Sequence, residues 1–548
     1  MTYSIPASRF FRADVEYWDD SSQSYKPVVE LVAHPSGLNE CSAMGSAGFS
    51  AVRSDKFRFN FRLGFGESKY VKQVPLREIG LYGGYRIDKW LNKIGFGNKG
   101  IDLKDASHLP VSAGAAIDPA SILDLSDKLD SDGTLKWTPP AGDWTIVRLG
   151  YTPTGAYPAP FSRDAPIGLE VDKFDREDAE FHYNKMMGQI KNLVPGAVAA
   201  RVISNYHADS FEVGWQNWTE KMPEEFEGRR GYDLKDWLPV LTGRIVGDLN
   251  ASEAFLRDFR RTCADLYADY QVGTFTQLAE ADGFEFTTEP YDGPFEHLQA
   301  GGRSSFPLTE VHLGGEHHRP RDAAISSGHI YEKNLIGSEQ FTGPGNWVNH
   351  PGSMKLMLDH IYYHGVNRMV LHVYTHQPFT DSRAVPGMTL GVWGTQFNRN
   401  NTWWHEAQGF FGYMSRVQAL LQRGTPVADI LYYLGDDAPN GGGNNPPVPP
   451  KGYDSDGLNN EVLATLKVVE GRLSLPKGKS YSYLVMPDHG RVTMEGLKHL
   501  HRLARDGATI VGPAPKGSPS LADAPNQAGA AYDRIVKEMW GRSSTGSQ

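Results

Sequence analysis

Hydrophobic and polar positions divide the chain into three textures. From residue 1 to about 170, short apolar or alternating runs recur at Val28–Val32, Phe57–Phe61 and Trp144–Leu149. Turn signals such as Ser131–Gly133 and Pro139–Gly142 separate them. This pattern predicts a β-rich domain, with Leu135–Tyr151 as a hairpin around a Pro/Gly turn. From about Gly168, strand-like runs alternate with helical periodicity. The expected strands are the Ala/Val-rich run opening at Ala197, then Phe284–Tyr291, Asn334–Thr342, Arg368–His376 and Ala428–Leu434. Helical patterns follow Asp175 and cover Pro223–Leu241, Ser252–Ala281 (capped by Ser252 and stopped by Gly283), Arg321–Glu332, Pro351–Tyr363 and Trp403–Arg423. Strands alternating with helices mean βα units on a parallel sheet. Five or so units in this length predict a (β/α)8-type TIM barrel, incomplete at its start, within an α/β chain. No glycine-rich phosphate turn follows any strand, which weakens a dinucleotide-binding alternative.

Beyond a low-complexity linker, Gly435–Gly452, a strand (Tyr481–Asp488), a helix (Val492–Gly507) and another strand (Ala508–Pro513) predict a small α/β domain. The expected organisation is a β-rich domain over 1–165, a catalytic barrel over 166–435, a linker over 436–453, an α/β domain over 454–540 and a disordered tail over 541–548.

Composition narrows the function classes. A chain of 548 residues exceeds one core. A formal charge of -10 argues against a nucleic-acid partner. No run approaches the ~20 apolar residues of a membrane span, and Met1–Asp14 lacks the pattern of a secretory signal. Two distant cysteines, Cys41 and Cys263, exclude a disulfide framework and are expected as buried free thiols.

The candidate chemistry lies where expected strands end. Asp209 with Glu212, then Glu289, Glu339 and finally His372 with His376 follow four successive strands. Residues in such places converge on one rim of a parallel barrel. Any single carboxylate there is commonly a helix cap or ion-pair member; three sets plus histidines are harder to explain so. Glycoside hydrolysis needs two carboxyl groups, one protonated to donate to the leaving oxygen and one acting as base or nucleophile. Glu212, between Phe211 and Trp215, has apolar neighbours that would raise its pKa and suit the acid. Glu339 suits the base, Asp209 a tuning group, and Glu289 a ligand for sugar hydroxyls or a cation. His372 and His376, four apart on an expected strand, would face the same way and bind sugar hydroxyls. His317–His318 is weak evidence for anything, and Arg229–Arg230 reads as a structural salt-bridge pair.

Longer motifs then carry a resemblance. His207–Arg244 resembles the central motif of glycoside hydrolase family 106, the α-L-rhamnosidases. The likeness continues through GLEVDK, TTEPYDG, GSEQFTGPGNW, HGVNRMVLHVYTHQP and NTWWHEAQGFFGYMSRVQALLQRGTPVADILYY, covering roughly 75–540. It implies a (β/α)8 catalytic domain, inversion at α-L-rhamnosides and a nearby calcium ion whose ligands the sequence does not identify. It also implies Glu212 as general acid, Glu339 as general base, and Asp209 and Glu289 as site carboxylates. Substrate-binding candidates are Glu289, His207, Trp215, His372, His376 and Trp347. The expected partner is a small molecule or oligosaccharide bearing α-L-rhamnose, from plant glycosides or pectin, with neither nucleic acid nor membrane. Family members are longer and typically secreted or periplasmic, so the chain reads as an internal fragment. The competing readings are a truncated, inactive relative that at most binds carbohydrate, and a glycosidase of like architecture for another sugar.

Overall fold

A computed structural model describes residues 11–33, 45–63, 79–95, 111, 114–156, 168–194, 196–313, 323–343, 345–391, 393–440, 448–488, 490–523 and 528–541. The chain divides into two compact units. The first comprises Met1–Asp175, Glu212–Leu266 and Ser518–Asn526; the second comprises Arg176–Phe211, Tyr267–Gly517 and Gln527–Gln548.

In the first unit, strands β1 (Phe11–Asp19), β2 (Ser24–Ala33) and β3 (Phe57–Leu63) form an antiparallel sheet with β1 in the centre. The hairpin expected over Leu135–Tyr151 is absent. Trp144–Leu149 forms no strand; the Trp144 indole N–H instead donates to the Pro140 carbonyl at 2.9 Å and the ring packs edge-on against Trp137. The Pro-Pro pair cannot donate ladder hydrogen bonds, so the turn closes on side chains. Helix Met222–Arg230 ends at Gly231, whose φ of 79° is the left-handed C-cap that glycine adopts without cost. Its Phe226 packs against Phe255 of helix Leu249–Leu266, which packs in turn against Phe259, all fully or almost fully buried. Each such ring contributes about 1.5–3 kcal/mol of hydrophobic stabilisation. Arg229 pairs with Glu225 and Arg230 with Asp265, as expected of structural arginines. Asp248, rather than Ser252, caps the long helix, accepting from the Ala251 N–H at 2.7 Å. The helical pattern continues as a π-helical Tyr267–Gly273 and an α-helical Thr274–Ala281. Cys263 is buried, and burial pushes its thiol up to about 12.

The second unit holds two parallel sheets. Strands β4 (Asn205–Ala208), β5 (Glu285–Thr288), β6 (Phe306–His312), β7 (Gly337–Thr342) and β8 (Arg368–Leu371) form a curled half-barrel in the order β8-β7-β6-β5-β4. The architecture is therefore mixed α/β with a half-barrel sheet. Strands β9 (Ile430–Tyr433), β10 (Ser455–Leu458), β11 (Tyr483–Val485) and β12 (Thr509–Val511) form the other, in the order β10-β9-β11-β12. Helix Pro351–Tyr363 has the predicted bounds, and its Met354, Leu358 and Tyr362 pack on Phe341, Phe397, Phe410 and Met414.

Three elements differ from expectation. The Ala/Val run is a helix, Gly196–Val202, because alanine is the strongest helix former; β4 begins only at Asn205. Ala428–Leu434, expected in the barrel, supplies β9 of the other sheet, paired with β10 and β11. Strand β6 was not expected at all; its Pro307 disfavours a strand reading and lies one residue ahead of the pairing with β7, which begins at Leu308. The start of the expected linker is not loose either: Asp436 is buried and accepts from the Tyr433 hydroxyl at 2.7 Å. Cys41, His317–His318, most of the linker's glycine-rich middle and the tail beyond Gly541 lie outside the described residues. Among the described residues, no helix is long and apolar enough to cross a membrane.

Candidate active site

The C-terminal ends of the half-barrel strands bring the site together, and the strand register explains how. His207 of β4 lies beside Thr287 of β5, and its Nδ1 meets the Thr287 hydroxyl at 2.9 Å. Ala208 pairs with Thr288, so the next residues, Asp209 and Glu289, leave adjacent strands side by side. Glu310 of β6 pairs directly with Glu339 of β7, which places both side chains on one face. The register then shifts, so that His312 pairs with Thr342, and Phe341 between adopts φ 75°. A bulky residue in that region is strained, and such bulges re-aim side chains at barrel rims.

Glu289 is almost fully buried, at 2% exposure. The Tyr291 hydroxyl lies 2.6 Å from its Oε2 and 3.0 Å from Glu310 Oε2, while Glu289 Oε1 has no hydrogen-bond partner. Burial pushes the Glu289 carboxyl up to about 10; Tyr291 opposes this, and the charges of Asp209 and Glu339 add to it. At neutral pH Glu289 is therefore protonated. The Tyr291 hydroxyl has a single hydrogen, shared between Glu289 and Glu310. Burial would raise Glu310 as well, but the His312 imidazole, 2.7 Å away, outweighs it and holds the carboxyl below its usual value. His312 is raised in turn.

Burial raises Glu339 to about 7, against the hydrogen bond donated by the Thr342 hydroxyl and with help from the Asp209 charge. His372 Nε2 stands 3.9 Å from Glu339 Oε1, and burial lowers the His372 imidazole. Gly394, at φ +82°, approaches so closely that a Cβ there would sit 2.7 Å from His372 Nδ1. Asp209 is pulled down to about 2, chiefly by the neighbouring His207 imidazole. The rim thus holds two anions, Asp209 and Glu310, one neutral acid, Glu289, and one carboxyl poised near neutrality, Glu339, the separation of roles that acid–base chemistry requires.

His207, Asp209 and Glu289 each offer an atom within 4.8 Å of the others, a group able to hold a metal ion. Asp209 and, once it gives up its proton, Glu289 offer oxygen ligands of the kind a hard cation such as calcium takes. The imidazole is not among calcium's usual oxygen ligands and has Thr287 to bond instead.

Of the expected site residues, Asp209, Glu289, Glu339, His207 and His372 come together in the second unit. Glu212 and Trp215 belong to the first, half-buried in the irregular stretch ahead of helix Met222–Arg230. His376 does not share a strand face with His372: β8 stops at Leu371, and His376 is exposed in the following segment. Trp347 is half-buried in the turn after β7. Tyr291, Glu310 and His312 are additions. The largely apolar run Phe306–Val311 ending in His312 is the signal that could have found two of them.

Comparison with known proteins identifies the family. A family model described as alpha-L-rhamnosidase, glycoside hydrolase family 106, matches residues 14–548. The chain belongs to that family. The solved structure of a rhamnosidase from Novosphingobium sp. PP1Y superposes with a TM-score of 0.79 at 27% identity, over 97% of this chain and 51% of that one. A Formosa agariphila protein curated as "Putative beta-glucuronidase" is 36% identical over 443 residues, 80% of this chain and 37% of its own length. The chain thus spans about half the length of the solved relative and less of the curated one.

Proposed function

We propose that this family 106 chain carries the catalytic machinery of an exo-acting, inverting α-L-rhamnosidase that removes terminal rhamnose from plant glycosides or pectic oligosaccharides. The half-barrel is read as part of a (β/α)8 barrel. The observation that supports the reading best is the set of strand-end carboxyls with separated protonation, above all Glu339 near 7 beside the permanently charged Asp209. Glu212 is the general acid, donating its proton to the glycosidic oxygen as the bond breaks. Glu339 is the general base, taking a proton from the water that attacks the anomeric carbon from the opposite face. Asp209 keeps Glu339 from ionising too early. His207 and His372 orient sugar hydroxyls, with Trp215, Trp347 and His376 at the margins. Asp209 and Glu289 would hold a calcium ion, which supplies positive charge for ligating sugar hydroxyls. Ordering the ring and excluding bulk water fall to the side chains.

The curated relative's name favours one competing reading, a β-glucuronide substrate in the same site. Hydrolysis of aryl α-L-rhamnoside and aryl β-D-glucuronide by the purified chain separates the two. Turnover of the rhamnoside, reduced on the order of 10²–10⁴-fold in Glu339→Gln and Glu212→Gln, is expected. Undiminished activity in both variants, or turnover of the glucuronide alone, would overturn the assignment. NMR of the first-formed sugar anomer tests inversion.

A further inference from the structure

Helix Pro351–Tyr363 ends in a pair of histidines one turn apart, His360 and His364, the latter at the C-cap position. Their Nε2 atoms face each other at 3.3 Å, with ring centroids 4.5 Å apart and planes at 86°. Residues four apart on a helix lie on one face, which is the spacing by which two imidazoles chelate a metal in helical zinc sites. Two zinc–nitrogen bonds of about 2.05 Å spanning 3.3 Å subtend an angle of about 107° at the metal, close to tetrahedral.

The surroundings suit a cation. The last turn of a helix carries the negative end of its dipole. His364 is buried, at 7% exposure, with Tyr363 edge-on at 5.1 Å, so one ring is fixed by packing. His360 is exposed and leaves an approach from solvent. Imidazole pairs select zinc, copper, nickel or cobalt over calcium or magnesium. Neither histidine belongs to the strand-end group described above.

We propose that His360 and His364 form a binding site for a tetrahedral divalent transition-metal ion of the zinc class. Two protein nitrogens fill half of its coordination sphere, and water or an exogenous ligand fills the rest. A bound ion clamps the last turn of the helix just ahead of β8.

The test is Zn2+ titration by calorimetry, and Co2+ as a visible-absorption probe, on the full chain in calcium-containing buffer. The proteins compared are wild type, His360→Ala and His207→Ala. His360 is exposed, so its variant should fold, and matching melts in EDTA verify this. Wild type and His207→Ala are expected to bind one equivalent of Zn2+ at the helix and to show the intense bands of tetrahedral Co2+. His360→Ala is expected to lose that equivalent and those bands, together with the Zn2+-dependent rise in Tm. Zn2+ stoichiometry and Co2+ spectra unchanged by His360→Ala, or lost only with His207→Ala, would overturn the proposal. So would a wild-type chain that binds neither ion.

Discussion

Asp456 of β10 and Glu289 at the end of β5 are 1% and 2% exposed, yet the second unit treats these two buried carboxyls in opposite ways. Asp456 Oδ1 meets His329 Nδ1 at 2.7 Å, and its Oδ2 accepts from Lys479 at 3.0 Å and the Tyr481 hydroxyl at 2.8 Å. Burial alone would raise its pKa, but His329 and Lys479 prevail and hold the carboxylate well below its usual range. Glu289 has one hydroxyl donor, Tyr291, and beside it the Asp209 carboxylate, which favours the protonated form, and burial wins. A buried acid with all its oxygens matched is a fixed anion that ties helix Ala323–Ile330 to the second sheet. A buried acid left partly unmatched is a proton reservoir at a rim. Desolvation is similar in the two places; partners decide which becomes structure and which chemistry.

The largest effects expected from breaking this contrast are kinetic. Glu339→Gln should cost on the order of 10²–10⁴-fold in kcat while leaving the thermal midpoint close to wild type, because a neutral amide suits a site that already favours a neutral acid. Steady-state kinetics beside a melting curve checks both halves. Asp456→Ala should do the reverse. It strands the buried Lys479 ammonium and should cost about 3–5 kcal/mol of stability in denaturant titrations, with kcat of the folded fraction unchanged.

A subtler separation uses pH and stability. The raised Glu289 carboxyl stabilises the fold fully below its unfolded value, ~4.3, and that contribution is lost as pH climbs toward about 10. Glu289→Gln should therefore leave stability at pH 4 unchanged and raise it at pH 8. The depressed Asp456 has the opposite sign: its contribution is present above ~3.9 and fades as pH falls below that. Opposite slopes in Tm against pH for the two variants would confirm the contrast; like slopes would refute it. The smallest effect belongs to Asp209. As a base, Glu339 must be ionised, so kcat/KM should rise with pH around an apparent pKa of about 7. Asp209→Asn removes a like charge and should move that limb to lower pH, by a modest amount measurable in a pH–rate profile.

Glu289 and Glu339 were legible because each lies in or just after a strand-like apolar run. Asp209 was reached through the Ala/Val run, which is a helix ahead of the short strand β4. Glu310 and His312 were not legible in the same way, since Pro307 broke the pattern of their strand. The two histidines expected to share a face on β8 failed because strand length is set by pairing with β7, which stops at Leu371.

Sequence alone determined the alternation of strands and helices, the helix over Pro351–Tyr363, the sugar-cleaving family and the carboxylates at strand ends. These depend on local periodicity, capping and motif, which the order of residues encodes directly. Tertiary structure alone decided that Ile430–Tyr433 joins the second sheet, that the half-barrel admits Phe306–His312, and which buried acid keeps its proton. Each of these depends on which strand a segment pairs with and how many donors reach a carboxyl oxygen. Those are distances between residues far apart in the chain, and no window of sequence contains them.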